Sequence, residues 1–240
     1  MKSYLQSHFI KIKNTSYLLV HSMAALLFPL LLLFYWIQRG DVRNNAVFFS
    51  YFQIVGVLLP FASSIVSIQL KNLEEESGKY KYLLAYSRSN YKPFFVELVF
   101  LWMCYCIVLL ISVILFGIVM IISGTMVNFE LVLLNILAYV ILSFITYIVN
   151  HIISYLCSTG VALGVSMIGV IIAALCETSL GDKVWFYIPW SWLLRISEVL
   201  FKQQKIAVIH LVVMIIVSIT MFLLHMRLFQ NWNQDRLKDS

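Results

Sequence analysis

Charge is what this sequence has least of. Asp, Glu, Lys and Arg make up 12% of its 240 residues, about half the share that soluble domains carry. No stretch is both long and polar enough for a separate soluble domain, so a single membrane domain over residues 1–240 is the expected organisation. No G-x-x-x-x-G-K-[ST] sequence occurs, which excludes a P-loop in this chain. No H-E-x-x-H occurs either, which excludes a zincin helix. The net charge of +6 is neither gathered on a basic face nor attached to a known module, which argues against nucleic-acid binding. Cysteine is sparse: Cys104, Cys106, Cys157 and Cys176 lie within or at the ends of apolar runs. Cys104 and Cys106, two apart, point to different sides of a helix. All four read as small apolar fillers, and neither a disulfide nor a metal site is expected.

Apolar surface is what the chain has in excess. It is 62% hydrophobic with a mean hydropathy of +0.91, more than a soluble core could hide, so lipid is the expected solvent. A helical span needs roughly 20 mostly apolar residues. Six runs qualify, at about 17–37, 47–69, 94–122, 131–156, 161–176 and 206–228. The basic N-terminal stretch, Lys2 through Lys13, precedes a run longer than a signal h-region. That run has no small-residue cleavage site before Gln38, so an uncleaved first span is expected. The fold class is therefore all-α and polytopic.

Orientation follows from the positive-inside rule. With the N-terminus inside, 11 of the 17 Lys and Arg residues fall on inner segments. Both termini are expected in the cytoplasm. Tyr4, Leu5, His8, Phe9 and Ile12 fall near helical spacing beside Lys2, Lys11 and Lys13, the pattern of a helix lying in the inner interface. The link at 157–160 is so short that the fourth and fifth spans form a tight hairpin. The segment 177–205 is too long for a turn and too aromatic for a solvated loop, with Trp185, Phe186, Tyr187, Trp190 and Trp192. Trp and Tyr favour the headgroup region. Pro189 suits the first turn of a helix continuing over 191–201, with Arg195 and Glu198 paired at i, i+3. The whole reads as an embedded external hairpin between spans 5 and 6.

One polar segment interrupts the apolar runs. Residues 70–94 carry Glu74, Glu75 and Glu76, then Gly78, Tyr80, Leu83, Leu84 and a basic end at Arg88 and Lys92. A helix over 70–86 is expected, with the glutamates complementing its dipole. A plain topology loop has no need of Tyr80, Tyr82, Leu83, Leu84 and Tyr86, so this helix reads as a docking element for another protein.

The layout, together with three short stretches, resembles the type-2 ABC exporter permeases. Within them the chain looks like the permease subunits of lantibiotic (bacteriocin) self-immunity transporters. The stretches are FIKIKNTSYLLV at the first span, the charged helix with Glu74–Glu76, Gly78, Leu83, Leu84, Ser87 and Arg88, and IPWSWLLRI before the last span. The resemblance implies a coupling helix that docks on a separate ABC ATPase present in two copies. ATP and Mg would be held by that partner, and this chain would bind no cofactor and catalyse nothing. It further implies a second six-span permease, the same or homologous, in the bacterial plasma membrane. The cargo would be a cationic antimicrobial peptide, released outward along a path near Glu177, Trp185, Trp190, Trp192 and Glu97. Two departures stand out: His8 where an acidic residue is expected, and Glu97 near where such permeases often carry a lysine.

Single residues leave alternatives open. Gly160 and Gly164 form a G-x-x-x-G pair that suits either a subunit contact or packing within the chain. Glu97 and Glu177 are functional suspects as intramembrane ionisable groups, against snorkelling or capping of local backbone. Asn150, His151, Ser154 and Ser158 form a polar stripe read as interhelical hydrogen bonding, while His21, His210 and His225 read as interfacial. The same architecture would also serve a drug, a toxin peptide or a glycan. A non-transporting membrane scaffold is the alternative from another class; an intramembrane protease is disfavoured because the EEE triplet lies in a charged loop without spaced histidines.

Overall fold

A computed structural model describes residues 2–13, 15–39, 46–76, 80, 91–124 and 128–232. Among them the chain is helical and has no strand. We number the α-helices α1 (Lys2–Ile12), α2 (Ser16–Arg39), α3 (Ala46–Glu76), α4 (Tyr91–Ile122), α5 (Phe129–Leu156), α6 (Thr159–Glu177), α7 (Trp192–Phe201) and α8 (Val208–Gln230). Six of these, α2 to α6 and α8, are long and apolar enough to cross a membrane. In lipid every backbone polar group must be satisfied within the segment, which is why apolar runs of this length become helices.

Local chemistry sets several helix ends. Asn128 caps α5, its side chain accepting from the Leu131 amide at 3.2 Å, and Glu130 stands in the first turn. Cys157 and Ser158 alone separate α5 from α6, so these helices are antiparallel neighbours. Pro60 sits inside α3 and leaves that helix one amide short. Its own carbonyl is engaged from outside: Asn150 donates to it at 2.8 Å and also reaches the Ser63 hydroxyl at 2.6 Å.

α3 is the central element. Of its apolar window 61% is buried, against 11% for α8, which lies at the periphery. α3 packs mainly on α5 and α6, and α2 packs mainly on α4. Consecutive helices alternate in direction, as cross-contacts at both ends show. Late α3 meets the start of α6 where Lys71 donates to the Cys157 carbonyl at 3.2 Å. Early α3 meets late α4 where the Tyr51 and Ser112 hydroxyls bond at 2.6 Å. Tyr139 of α5 donates to the Phe52 carbonyl of α3.

The spans differ from the sequence expectation chiefly in α3. The second span was expected to stop at Gln69, with a separate charged helix over 70–86. Residues 70–76 instead continue α3 without a break. The reason is that Leu70, Lys71 and Glu74 are buried by partners from other elements, so a helix that apolarity alone would end is carried two turns further. The remainder of the expected charged helix, apart from Tyr80, lies outside the described residues.

Between α6 and α8 the chain makes three short 3-10 turns, at Ser179–Gly181, Trp185–Tyr187 and Pro189–Ser191, and then α7. Gly181 makes the first turn possible, because a Cβ there would collide with the backbone of Cys176. A Cβ on Gly169 of α6 would lie 3.0 Å from the Trp190 indole, so that glycine is the floor on which the ring rests.

Candidate functional site

At the end of the bundle that carries α1, ionisable side chains from five helices are buried together. α1 brings His8 and Lys11, α3 brings Glu74, α4 brings Glu97, α5 brings His151 and Tyr155, and α8 brings His225. All except Lys11 are buried, and Glu97, His151 and His225 are 0% exposed. Lys11, 26% exposed, donates to both carboxylate oxygens of Glu74, at 2.6 and 2.8 Å. His8 Nδ1 stands 3.6 Å from the same carboxylate, and its ring stacks on Phe100 at 5.3 Å.

Glu97 is the centre of the second half. Tyr155 donates its hydroxyl to Glu97 Oε1 at 2.7 Å. His151 Nε2 is 3.5 Å from that same oxygen, and His151 Nδ1 pairs with His225 Nε2 at 3.2 Å. A chain of polar contacts thus runs from α4 through α5 to α8. Glu97 Oε2, His225 Nδ1 and both ring nitrogens of His8 have no hydrogen-bond partner among the described residues. Aromatic rings seal the cluster: Phe94, Phe229, Tyr155 and Trp232 pack at centroid distances of 4.4 to 5.6 Å. Burial pushes the His8 imidazole below the ordinary histidine value; Glu97 pulls it back up and Lys11 pushes it further down. Tyr80, at a left-handed φ of 63°, has its phenol pushed up by burial and then by Glu75, Glu97 and Glu74. Among the described residues no group of three or more His, Cys, Asp or Glu could hold a metal ion.

The residues expected to couple to a partner are split by the structure. Glu74 faces inward and is tied to Lys11, whereas Glu75 and Glu76 are exposed at the end of α3. Tyr80 is buried. Gly78, Leu83, Leu84 and Arg88 lie outside the described residues.

The expected substrate path divides in the same way. Glu97 belongs to the buried cluster, at the opposite end of the bundle from the aromatic segment. Trp185 and Trp192 are core residues, 6% and 0% exposed. Trp192 donates its indole N–H to the Phe186 carbonyl at 3.2 Å, and Trp190 is half-buried over Gly169. The outward-facing apolar groups of this segment are Leu180, Val184 and Tyr187. Glu177 is half-buried at the end of α6.

Arg195 holds this segment to α6. Its Nε donates to the Cys176 carbonyl at 2.5 Å, and its Nη2 to the Thr178 carbonyl at 2.8 Å and to Asp182 Oδ1 at 2.6 Å. Its Nη1 donates to Glu198 Oε2 at 3.0 Å, the expected i, i+3 pair.

Between the two ends the clefts are apolar. Two cavities of about 230 and 240 Å³ lie between α2, α3 and α4, with Ala24, Leu58 and Tyr105 in the walls of both. On α6, a Cβ added at Gly160 or Gly164 meets nothing within 4 Å, so this pair is not spent on packing within the chain.

Sequence reasoning did not find His8, Lys11, Tyr155 or His225 as members of a site. His225 was expected at an interface and is instead fully buried, because α8 ends against α4 and α5. The available signal was the rule that buried ionisable groups in membrane helices come with partners, applied to Glu97. No family model, no curated protein and no solved structure matches the chain.

Proposed function

We propose that the chain is the membrane-spanning permease subunit of an ATP-driven exporter that expels a cationic antimicrobial peptide of the lantibiotic kind from the membrane for self-protection. It sits in a bacterial plasma membrane with both termini cytoplasmic. α1 lies in the inner interface, the segment after α6 is an embedded external hairpin, and the charged stretch after α3 is the coupling element. ATP and Mg belong to a partner ATPase present in two copies, and a second six-span subunit completes the pathway.

The observation that carries this reading is how the end of α3 is braced. Lys11 clamps Glu74 to α1, and Lys71 ties α3 to the start of α6, while Glu75 and Glu76 remain exposed. A force applied at that charged end would be passed to α1 and α6 together, as rigid-body coupling requires. Two features support the partners. The unpacked Gly160–Gly164 face of α6 suits close approach of a second helix in lipid. The exposed Leu180, Val184 and Tyr187 give an amphipathic peptide an apolar surface at the outer end.

The test is affinity purification in mild detergent of the chain carrying Glu75→Lys and Glu76→Lys, beside the unaltered chain. Loss of a co-purifying Walker-containing ATPase from the variant, with the protein still folded, is the expected result. An ATPase equally bound to both, or to neither, contradicts the coupling role.

A further inference from the structure

Pro60 divides α3 into two pieces. It has no amide to give the Gly56 carbonyl, four residues back, and its ring presses on that carbonyl. A helix relieves this by opening on the proline's side and bending away from it. At about 3.6 residues per turn, Phe52, Gln53, Gly56, Pro60 and Ser63 fall on one face of α3, and Tyr51, Val55, Leu58 and Ala62 fall on the opposite face. The first face is pinned. Tyr139 of α5 donates to the Phe52 carbonyl, and Gln53 donates to the Leu194 carbonyl of α7 at 3.3 Å. A Cβ on Gly56 would stand 2.8 Å from the Tyr139 hydroxyl. Asn150 of α5 spans the break itself, reaching both the Pro60 carbonyl and the Ser63 hydroxyl. The opposite face is open. Leu58 is 42% exposed, and Leu58 and Ala62 line both of the adjoining cavities between α2, α3 and α4. The bend that Pro60 favours therefore points into that cleft.

We propose that Pro60 is a hinge about which residues 61–76 swing into the cleft between α2 and α4, with Asn150 as the catch that holds the hinge straight. The contacts of the swinging segment travel with it. Ser64 donates to the Ala162 carbonyl of α6 at 3.3 Å, Lys71 donates to the Cys157 carbonyl, and Glu74 takes Lys11 of α1. Residues 61–76 thus move with α1 and the start of α6, while residues 46–60 stay with α5 and α7. From Pro60 to Glu76 the helix runs about 24 Å, so a change of about 10° at the hinge displaces the charged end by about 4 Å. Hinge motions of this kind occur on the μs–ms timescale. The device needs only this chain, so it goes beyond the transport reading and stands without it.

The experiment is a pulsed electron spin resonance distance measurement on the full-length chain in lipid nanodiscs. Nitroxides are carried by ketone-bearing residues at Glu76 and Gln230, so that the four cysteines stay native. Both positions are exposed, and Gln230 ends the peripheral helix α8. Asn150→Ala opens the catch, and should enrich a second distance about 4 Å from the main wild-type one by roughly fivefold, as the loss of two interhelical bonds implies. Pro60→Ala, added to Asn150→Ala, restores the missing amide and should remove the second distance. Ala62→Phe, added to Asn150→Ala in the same way, fills the cleft and should also remove it.

A purely structural role for Asn150 would loosen the bundle in a way that a side chain on the far face of α3 does not reverse. An Asn150→Ala variant with the wild-type distances overturns the proposal. So does a second distance that survives Ala62→Phe. Ser63→Ala removes one of the two catch bonds and should give the same second distance at a smaller share, which keeps the comparison decisive if Asn150→Ala does not fold.

Discussion

Replacing Arg195 should loosen the segment between α6 and α8. The guanidinium makes four hydrogen bonds and is only 11% exposed. The bond to Asp182 contributes little, since that carboxylate is 59% exposed and screened by water. The two carbonyl bonds matter more. They take up acceptors at the C-terminus of α6, where a cation also complements the helix dipole, and hydrogen bonds to a charged group contribute about 1.5–3 kcal/mol each. Allowing for partial exposure, Arg195→Ala should cost about 3 kcal/mol. For a chain of this size that corresponds to a fall in apparent melting temperature of roughly 6–12 °C. Arg195→Lys keeps the charge and loses the fork, so it should recover less than half of the loss. Thermal unfolding in detergent micelles measures both. A shift below about 2 °C for Arg195→Ala, or a lysine variant as stable as wild type, would refute the argument that the fork holds the segment.

Two further effects follow from buried groups. Asn150→Ala removes both the bond to the Pro60 carbonyl and the bond to the Ser63 hydroxyl; with interhelical bonds in membranes contributing about 0.6 kcal/mol on average and up to about 1.7, equilibrium unfolding should show a loss of about 1–2 kcal/mol, and no loss would mean that water or Ser63 replaces the amide. His8 is buried in a setting that lowers its proton affinity, so the unfolded chain takes the proton first as pH falls. Stability from this residue is therefore full above the ordinary histidine value and is lost below it. His8→Gln should melt less steeply with acid between about pH 6.5 and pH 5, by up to one proton or about 1.4 kcal/mol per pH unit; identical acid slopes would show that His8 is protonated within the fold.

The spans were legible because each contains about twenty apolar residues bounded by polar ones, a signal that needs no partner to be read. The end of α3 was not, because Lys71 and Glu74 look like loop residues until Cys157 and Lys11 are placed beside them. Arg195 and Glu198 were legible as an i, i+3 pair on one short helix. The link of Arg195 to Cys176, 19 positions away, was not. The buried cluster was the least legible element. Glu97 and Tyr155 are 58 residues apart, and His151 and His225 are 74 apart; no periodicity within one helix encodes such a meeting. The tryptophans of the segment between α6 and α8 misled for a related reason. Their type suggested a membrane interface, yet burial against α5, α6 and α8 makes Trp185 and Trp192 part of the core.

The most direct measurement of the central claim is mild-detergent affinity purification of the unaltered chain from its native host, followed by mass spectrometry of what remains bound. The account predicts an ATPase carrying a G-x-x-x-x-G-K-[ST] sequence together with six-span permease partners, either a second polypeptide or a second copy of this chain. A chain that emerges alone and monomeric, under conditions where ABC complexes survive, would contradict it.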